Sequence, residues 1–221
     1  MELINVQLAR SIWLFNIDEL NPQGKNILAD IVDWLKENYH FEKVPPSLDD
    51  LSANKGLALQ DGEFQLREEI FIHVNLTLYL DGIIAETMSS TRNTDQFLED
   101  ALQLATKEFS LAYRPDLVRQ KLYVSELNLR CDKQLDKLNS GLTQIASRIT
   151  ELLPGTKKVA FRTSSIGFWV DPEASRLNIP PFQFERKSGT PFDENRYWSR
   201  SALHTDDHLA LLNEFESLLL S

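Results

Sequence analysis

Residues 70–80 read IFIHVNLTLYL, with Ile70, Ile72, Val74, Leu76, Leu78 and Leu80 in alternate places. Phe71, His73, Asn75, Thr77 and Tyr79 fall between them. Successive side chains of a strand point to opposite faces, so the six aliphatic residues line one face. That pattern demands a sheet with one dry side. His73, between Phe71 and Asn75 on the mixed face, is expected to be a hydrogen-bonded surface histidine.

The flanks extend the pattern. GLALQDGEFQL precedes the strand and IIAETMSS follows it, and each carries an Asp-Gly pair, Asp61-Gly62 and Asp81-Gly82. Both pairs are predicted as two-residue hairpin turns, because glycine accepts the positive φ that such turns require. Hairpin-linked strands are antiparallel. Residues 3–15 read as a strand or a buried opening element, since their apolar residues suit either, and further strands are expected over 121–131, 158–171 (two short strands or one bent) and 182–187. A short FEKV strand ends at VPPS.

Helical spacing appears in four places. Ile27, Leu28, Ile31, Trp34 and Leu35 predict a helix near 24–38. Phe97, Leu98, Ala101, Leu102, Ala105 and Phe109 predict a second, with Thr94 as its N-cap and Asp95 in its first turn. Leu135, Leu138, Leu142, Ile145, Ile149 and Leu152 predict a long amphipathic helix closed by Pro154-Gly155. Leu209, Leu212, Phe215 and Leu219 mark the last. The expected fold is α+β: an antiparallel, hairpin-rich sheet with three to four amphipathic helices packed mainly on one face. No repeat or linker breaks the chain, so residues 1–221 are read as a single domain, with 111–120 as the candidate subdivision.

A lone cysteine, Cys131, cannot form an internal disulfide, which suits a reducing compartment. It lies in an alternating run with Leu127 and Leu129 and is expected to be a packed thiol. The N-terminal MELINVQLAR has no secretory signature, and no apolar run reaches the ~20 residues of a membrane helix. A cytoplasmic protein without membrane contact is expected. Residues 1–110 hold 8 Lys and Arg against 19 Asp and Glu, a net −11, whereas residues 111–221 hold 15 against 14, a net +1. Bulk nucleic acid is therefore not an expected partner.

Three constellations could carry chemistry. His204, Asp206, Asp207 and His208 lie near the C-terminus, and His204 and His208 could share a metal if both stood on one helix face. The glutamate of the zinc-protease motif is absent, and Thr205 as N-cap with Asp206 and Asp207 in the first turn makes an ordinary helix start, so no metal is expected. Arg92, Thr94, Arg162, Ser164 and Ser165 could hold an anion if the fold joined their loops, although no glycine-rich phosphate loop exists. Residues 184–204 interleave Arg186, Arg196 and Arg200 with Tyr197 and Trp198, types that dominate protein interfaces.

No nucleophile elbow or dinucleotide fingerprint is present, and acidic pairs such as Asp49-Asp50 and Glu68-Glu69 are expected on solvated faces. The expectation is a non-enzymatic binding or assembly protein without a cofactor, acting on a protein partner or by self-association through the 184–204 segment. The alternative is a small metal- or phosphate-dependent hydrolase or nucleotide-binding protein built on the His204–His208 segment and nearby arginines.

Overall fold

The computed structural model describes residues 1–22, 24, 28–45, 55–153, 159–175, 177 and 179–219. It has an α+β fold. The strands are β1 (Glu2–Leu14), β2 (Leu57–Arg67), β3 (Ile70–Tyr79), β4 (Gly82–Thr87), β5 (Gln120–Arg130), β6 (Ser165–Phe168), β7 (Phe182–Arg186) and β8 (Arg196–Ser201). The helices are α1 (Leu28–Tyr39), α2 (Thr91–Phe109), α3 (Ser140–Leu152) and α4 (Thr205–Leu218). Strand pairing is antiparallel. The proline-closed end predicted at Pro154-Gly155, part of VPPS, residues 25–27 and the Asp49-Asp50 pair lie outside the described residues.

The chain forms two compact units. The first comprises residues 6–125 and 203–205; the second comprises 1–5, 126–202 and 206–221. The long strands β1 and β5 each run through both.

In the first unit the strands lie in the order β2-β3-β4-β1. Val74, Leu76 and Leu78 of β3 are buried in one core with Val32, Leu35 and Tyr39 of α1 and Phe97, Leu98 and Leu102 of α2. Ile70 and Leu80, at the two ends of the predicted alternation, are half exposed, because each adjoins a turn. Phe97 packs edge-on against Tyr39 and Phe64, with ring centroids 5.0 and 5.5 Å apart. The Tyr39 hydroxyl donates to Asp100 at 2.8 Å. Burial first, and then Asp100, hold that phenol well above its ordinary range.

One predicted hairpin forms and the other does not. Tyr79 pairs with Gly82 across Leu80-Asp81, so the second Asp-Gly sits at the turn. An added Cβ at Gly82 would lie 2.3 Å from the Trp13 carbonyl oxygen. Gly82→Ala is therefore expected to cost about 1–3 kcal/mol, read as a lower urea midpoint; an unchanged midpoint would show that β1 can yield there.

Asp61-Gly62, by contrast, is no turn. β2 runs straight through it with a register shift between Leu59 and Gly62, a β-bulge whose extra residue Asp61 has φ 57°. The Asp61 amide donates to Asn75 Oδ1 at 2.9 Å, and Gly62 lies under the Phe41 ring, 2.5 Å from where a Cβ would stand. The chain reverses instead at Glu68-Glu69, where Glu69 takes φ 64° and Arg67 pairs with Ile70.

In the second unit β8, β7 and β6 follow β5. Phe184 of β7 stacks on Tyr197 of β8 at 4.7 Å and 10°, with Phe215 of α4 edge-on to Phe184 at 5.4 Å. Leu127, Leu129, Leu135 and Leu212 are also buried in this unit. Cys131 is buried there and donates to Glu216 at 3.4 Å. Burial, with the Glu216 carboxylate beside it, pushes the thiol up to about 11, so it is protonated at neutral pH. No helix among the described residues is long and apolar enough to cross a membrane.

Candidate interaction surface

Helix α3 starts at Asn139, whose side chain accepts from the Gly141 amide at 2.8 Å. From there its apolar residues recur at 142, 145, 149 and 152, and Leu138 precedes them at the same spacing. Alternating steps of four and three form a narrow seam of the kind that two helices bury against each other. Such a seam ordinarily goes into the core of its own domain. Here it does not: no residue of α3 is buried. Leu138, Leu142, Ile145, Ile149 and Leu152 are 38–66% exposed.

The segment after α3 continues the same character. The Phe161 amide donates to Thr150 Oγ1 of α3 at 2.9 Å, which holds this strip to the helix. The Thr163 amide donates to Asp136 Oδ1 at 3.0 Å, just ahead of it. Val159, Phe161, Phe168, Trp169 and Val170 are exposed, Trp169 by 76%. β6 pairs with β7 and stands last in the strand order, so one of its edges lacks a neighbouring strand among the described residues.

With Leu153, eleven large apolar side chains between 138 and 170 are exposed. Summed one by one, they expose on the order of 1,000 Å² of apolar surface. Charge is scarce across residues 138–153 and 159–170, where the charged side chains are Arg148, Glu151 and Arg162. Arg148 pairs with Glu151 at 2.8 Å and Arg162 with Asp136 at 3.7 Å. α3 and the strip held to it at Phe161 thus make a nearly neutral apolar face on a chain of net charge −10.

The residues singled out from sequence take other places. His204 belongs to the first unit, where the Tyr123 ring packs against its ring at 3.6 Å and a tilt of 33°, and its Nδ1 lies 3.2 Å from Thr91 Oγ1. His208 belongs to the second unit, buried inside α4, with Nε2 2.8 Å from Ser199 Oγ. The two rings thus serve different hydroxyls, and Asp206 and Asp207 are exposed in the first turn of α4. Among the described residues no group of three or more His, Cys, Asp or Glu is placed to hold a metal.

Thr205 is the first residue of α4 rather than its cap, and its hydroxyl works on another helix. It accepts from the Thr91 amide at 3.0 Å, while Thr91 Oγ1 accepts from the Thr205 amide at 2.9 Å. Two helix starts thereby satisfy each other's free N–H groups. Thr91→Val and Thr205→Val are each expected to lower stability by about 1–2 kcal/mol. The double variant should lose less than the sum, because both remove one shared pair; strict additivity of urea midpoints would dissolve the coupling.

Thr94 is likewise not a cap. Ser90 caps α2 by accepting from the Asn93 amide, and Thr94 is buried, donating to the Thr91 carbonyl at 2.9 Å beside Ser11 Oγ at 2.7 Å. Asp95 receives Trp13 Nε1 at 2.9 Å and the Tyr123 hydroxyl at 3.1 Å, so both its oxygens hold rings in place. Arg92 and Thr94 lie in the first unit and Arg162, Ser164 and Ser165 in the second; Ser164 accepts the Arg186 amide through its carbonyl, and Ser165 opens β6.

The 184–204 segment is strand more than loop. Tyr197 is fully buried, and its hydroxyl donates to the Lys133 carbonyl at 3.2 Å, so its ring is not available to a partner. Arg186 lies between the Phe192 and Tyr197 rings, 4.4 and 5.2 Å from their centroids. Arg196 pairs with Glu194 and Arg200 with Glu126, each at 3.5 Å, and Trp198 is half-buried. What residue types alone missed is α3: its spacing was legible, but a core stripe and an exposed seam have the same spacing.

No family model and no curated protein matches the chain. Among solved structures it is similar to Methanococcus jannaschii TBP, at 12% identity and a TM-score of 0.43, over 99% of this chain and 97% of that one. TBP proteins bind DNA. The expectation that bulk nucleic acid is no partner, drawn from net charge alone, does not stand beside that neighbour and is withdrawn. At this identity and TM-score the likeness supports no positive argument about what the chain binds.

Proposed function

We propose that this chain is a non-enzymatic assembly protein of the reducing cytoplasm that pairs with a second copy of itself through the α3 face and the strip beside it. The observation that carries the reading is the exposed seam of Leu138, Leu142, Ile145, Ile149 and Leu152. A heptad-spaced seam fits another helix bearing the same seam, and a two-fold axis supplies one without a second gene product. About 800 Å² per partner suffices for a stable interface, and the face offers an area of that order. Its near neutrality lets two acidic chains meet where repulsion is least. With Arg196 and Arg200 paired to carboxylates, Arg186 held between two rings and Tyr197 buried, that segment is left a supporting part.

Light scattering behind size exclusion tests the reading. A dimer that persists in about 0.5 M salt is expected, since apolar contacts are not screened. A monomer at 100 µM would end the proposal.

A further inference from the structure

The first unit contains an apolar cavity of about 260 Å³. Leu35 of α1, Leu78 of β3, Ile83 of β4 and Leu98 and Leu102 of α2 form its walls. Folded interiors close such volumes, because every wall atom facing a void forfeits its contacts. Here α2 keeps the space open by carrying alanine at 101 and 105, one turn apart on the lining face. The cavity reaches the surface where exposed Asp18 and half-exposed Leu80 form part of its rim, with Asn21 beside them.

We infer that this cavity is a binding site for an alkyl chain with a neutral, hydrogen-bond-donating head. The chain length follows from volume. An apolar cavity of about 150 Å³ takes up benzene, with its six carbons; in proportion, 260 Å³ holds on the order of ten carbons. The head group follows from charge. Asp18 places a carboxylate at the rim of a half-chain whose net charge is −11 (8 basic less 19 acidic residues over 1–110). A fatty acid's carboxylate is repelled there, whereas an alcohol can donate to Asp18. This inference is independent of the α3 face, which belongs to the other unit.

The test is calorimetric titration of the full chain with n-hexanol, n-octanol, n-decanol and n-dodecanol, and with decanoate. Affinity should rise about tenfold or more from hexanol to decanol and then level off, at one site per chain, with decanoate at least tenfold weaker than decanol. Ala101→Phe fills the cavity and should abolish decanol binding, while Ile145→Asp, on the exposed α3 seam, should leave it unchanged. Should Ala101→Phe not fold, the milder Ala105→Val should weaken decanol and spare hexanol. Affinity that climbs without levelling through dodecanol indicates partition onto exposed surface and overturns the inference. So does an absence of saturable binding, loss of binding in Ile145→Asp, or full binding in a folded Ala101→Phe chain.

Discussion

An Ile145→Asp chain is expected to elute as a monomer at concentrations where the unaltered chain is a dimer. Ile145 sits mid-way along the α3 seam and is 61% exposed within its own chain. A carboxylate there meets water in the monomer and an apolar partner surface in the dimer, so the whole penalty falls on association. Central interface positions cost about 2–4 kcal/mol when disrupted, and 3 kcal/mol is more than a hundredfold in the dimer constant. Phe168→Asp, on the exposed edge strand β6, should act in the same direction by about tenfold if that edge joins the interface. Arg196→Ala, which removes one member of an exposed pair with Glu194, should change nothing. The monomer's own urea midpoint should move by less than about 0.5 kcal/mol in Ile145→Asp. A large fall would mean that α3 is core and the seam has been misread; unchanged dimerisation with an intact fold would move the interface elsewhere.

The second large effect concerns the first unit's aromatic core. Phe97→Ala is expected to cost about 3–5 kcal/mol. The ring is fully buried, touches Tyr39 and Phe64 edge-on, and stands where α1, α2 and β2 meet. Its loss leaves a void that neither neighbour can fill without breaking something else, since Tyr39 is tied to Asp100 through its hydroxyl. Phe97→Leu keeps most of the volume and should cost under about 1.5 kcal/mol. Equilibrium urea unfolding checks both, and equal losses would show that the edge-on geometry, not the volume, carries the stability.

The sheet itself was legible because strand alternation is local: each residue of 70–80 declares its face to its immediate neighbours, and the buried core of β3 followed. The α+β class and three of the helix stripes were legible for the same reason, whereas the opening segment suited a strand or another buried element equally and only its pairing with β4 made it β1. Turn chemistry was legible only in part. Asp-Gly signals positive φ; Gly82 takes it as expected, but in the other pair Asp61 takes it instead of Gly62, and positive φ serves a bulge as well as a hairpin. At Asp61-Gly62 the Phe41 ring and the Asn75 side chain decide for the bulge, and both come from outside the segment.

The site was the least legible. The histidine spacing in 204–208 is a local fact, yet Thr91, Tyr123 and Ser199 are what each ring meets. Tyr197 and Arg186 looked like partner anchors by type, and packing made one of them core and sandwiched the other. The sequence by itself determined which residues are apolar and at what period, hence the elements and their amphipathic faces. Only the tertiary structure decided which faces find cover. That depends on how much apolar surface the neighbouring elements leave over, and in this chain it left the α3 seam exposed and a space beneath Ala101 and Ala105.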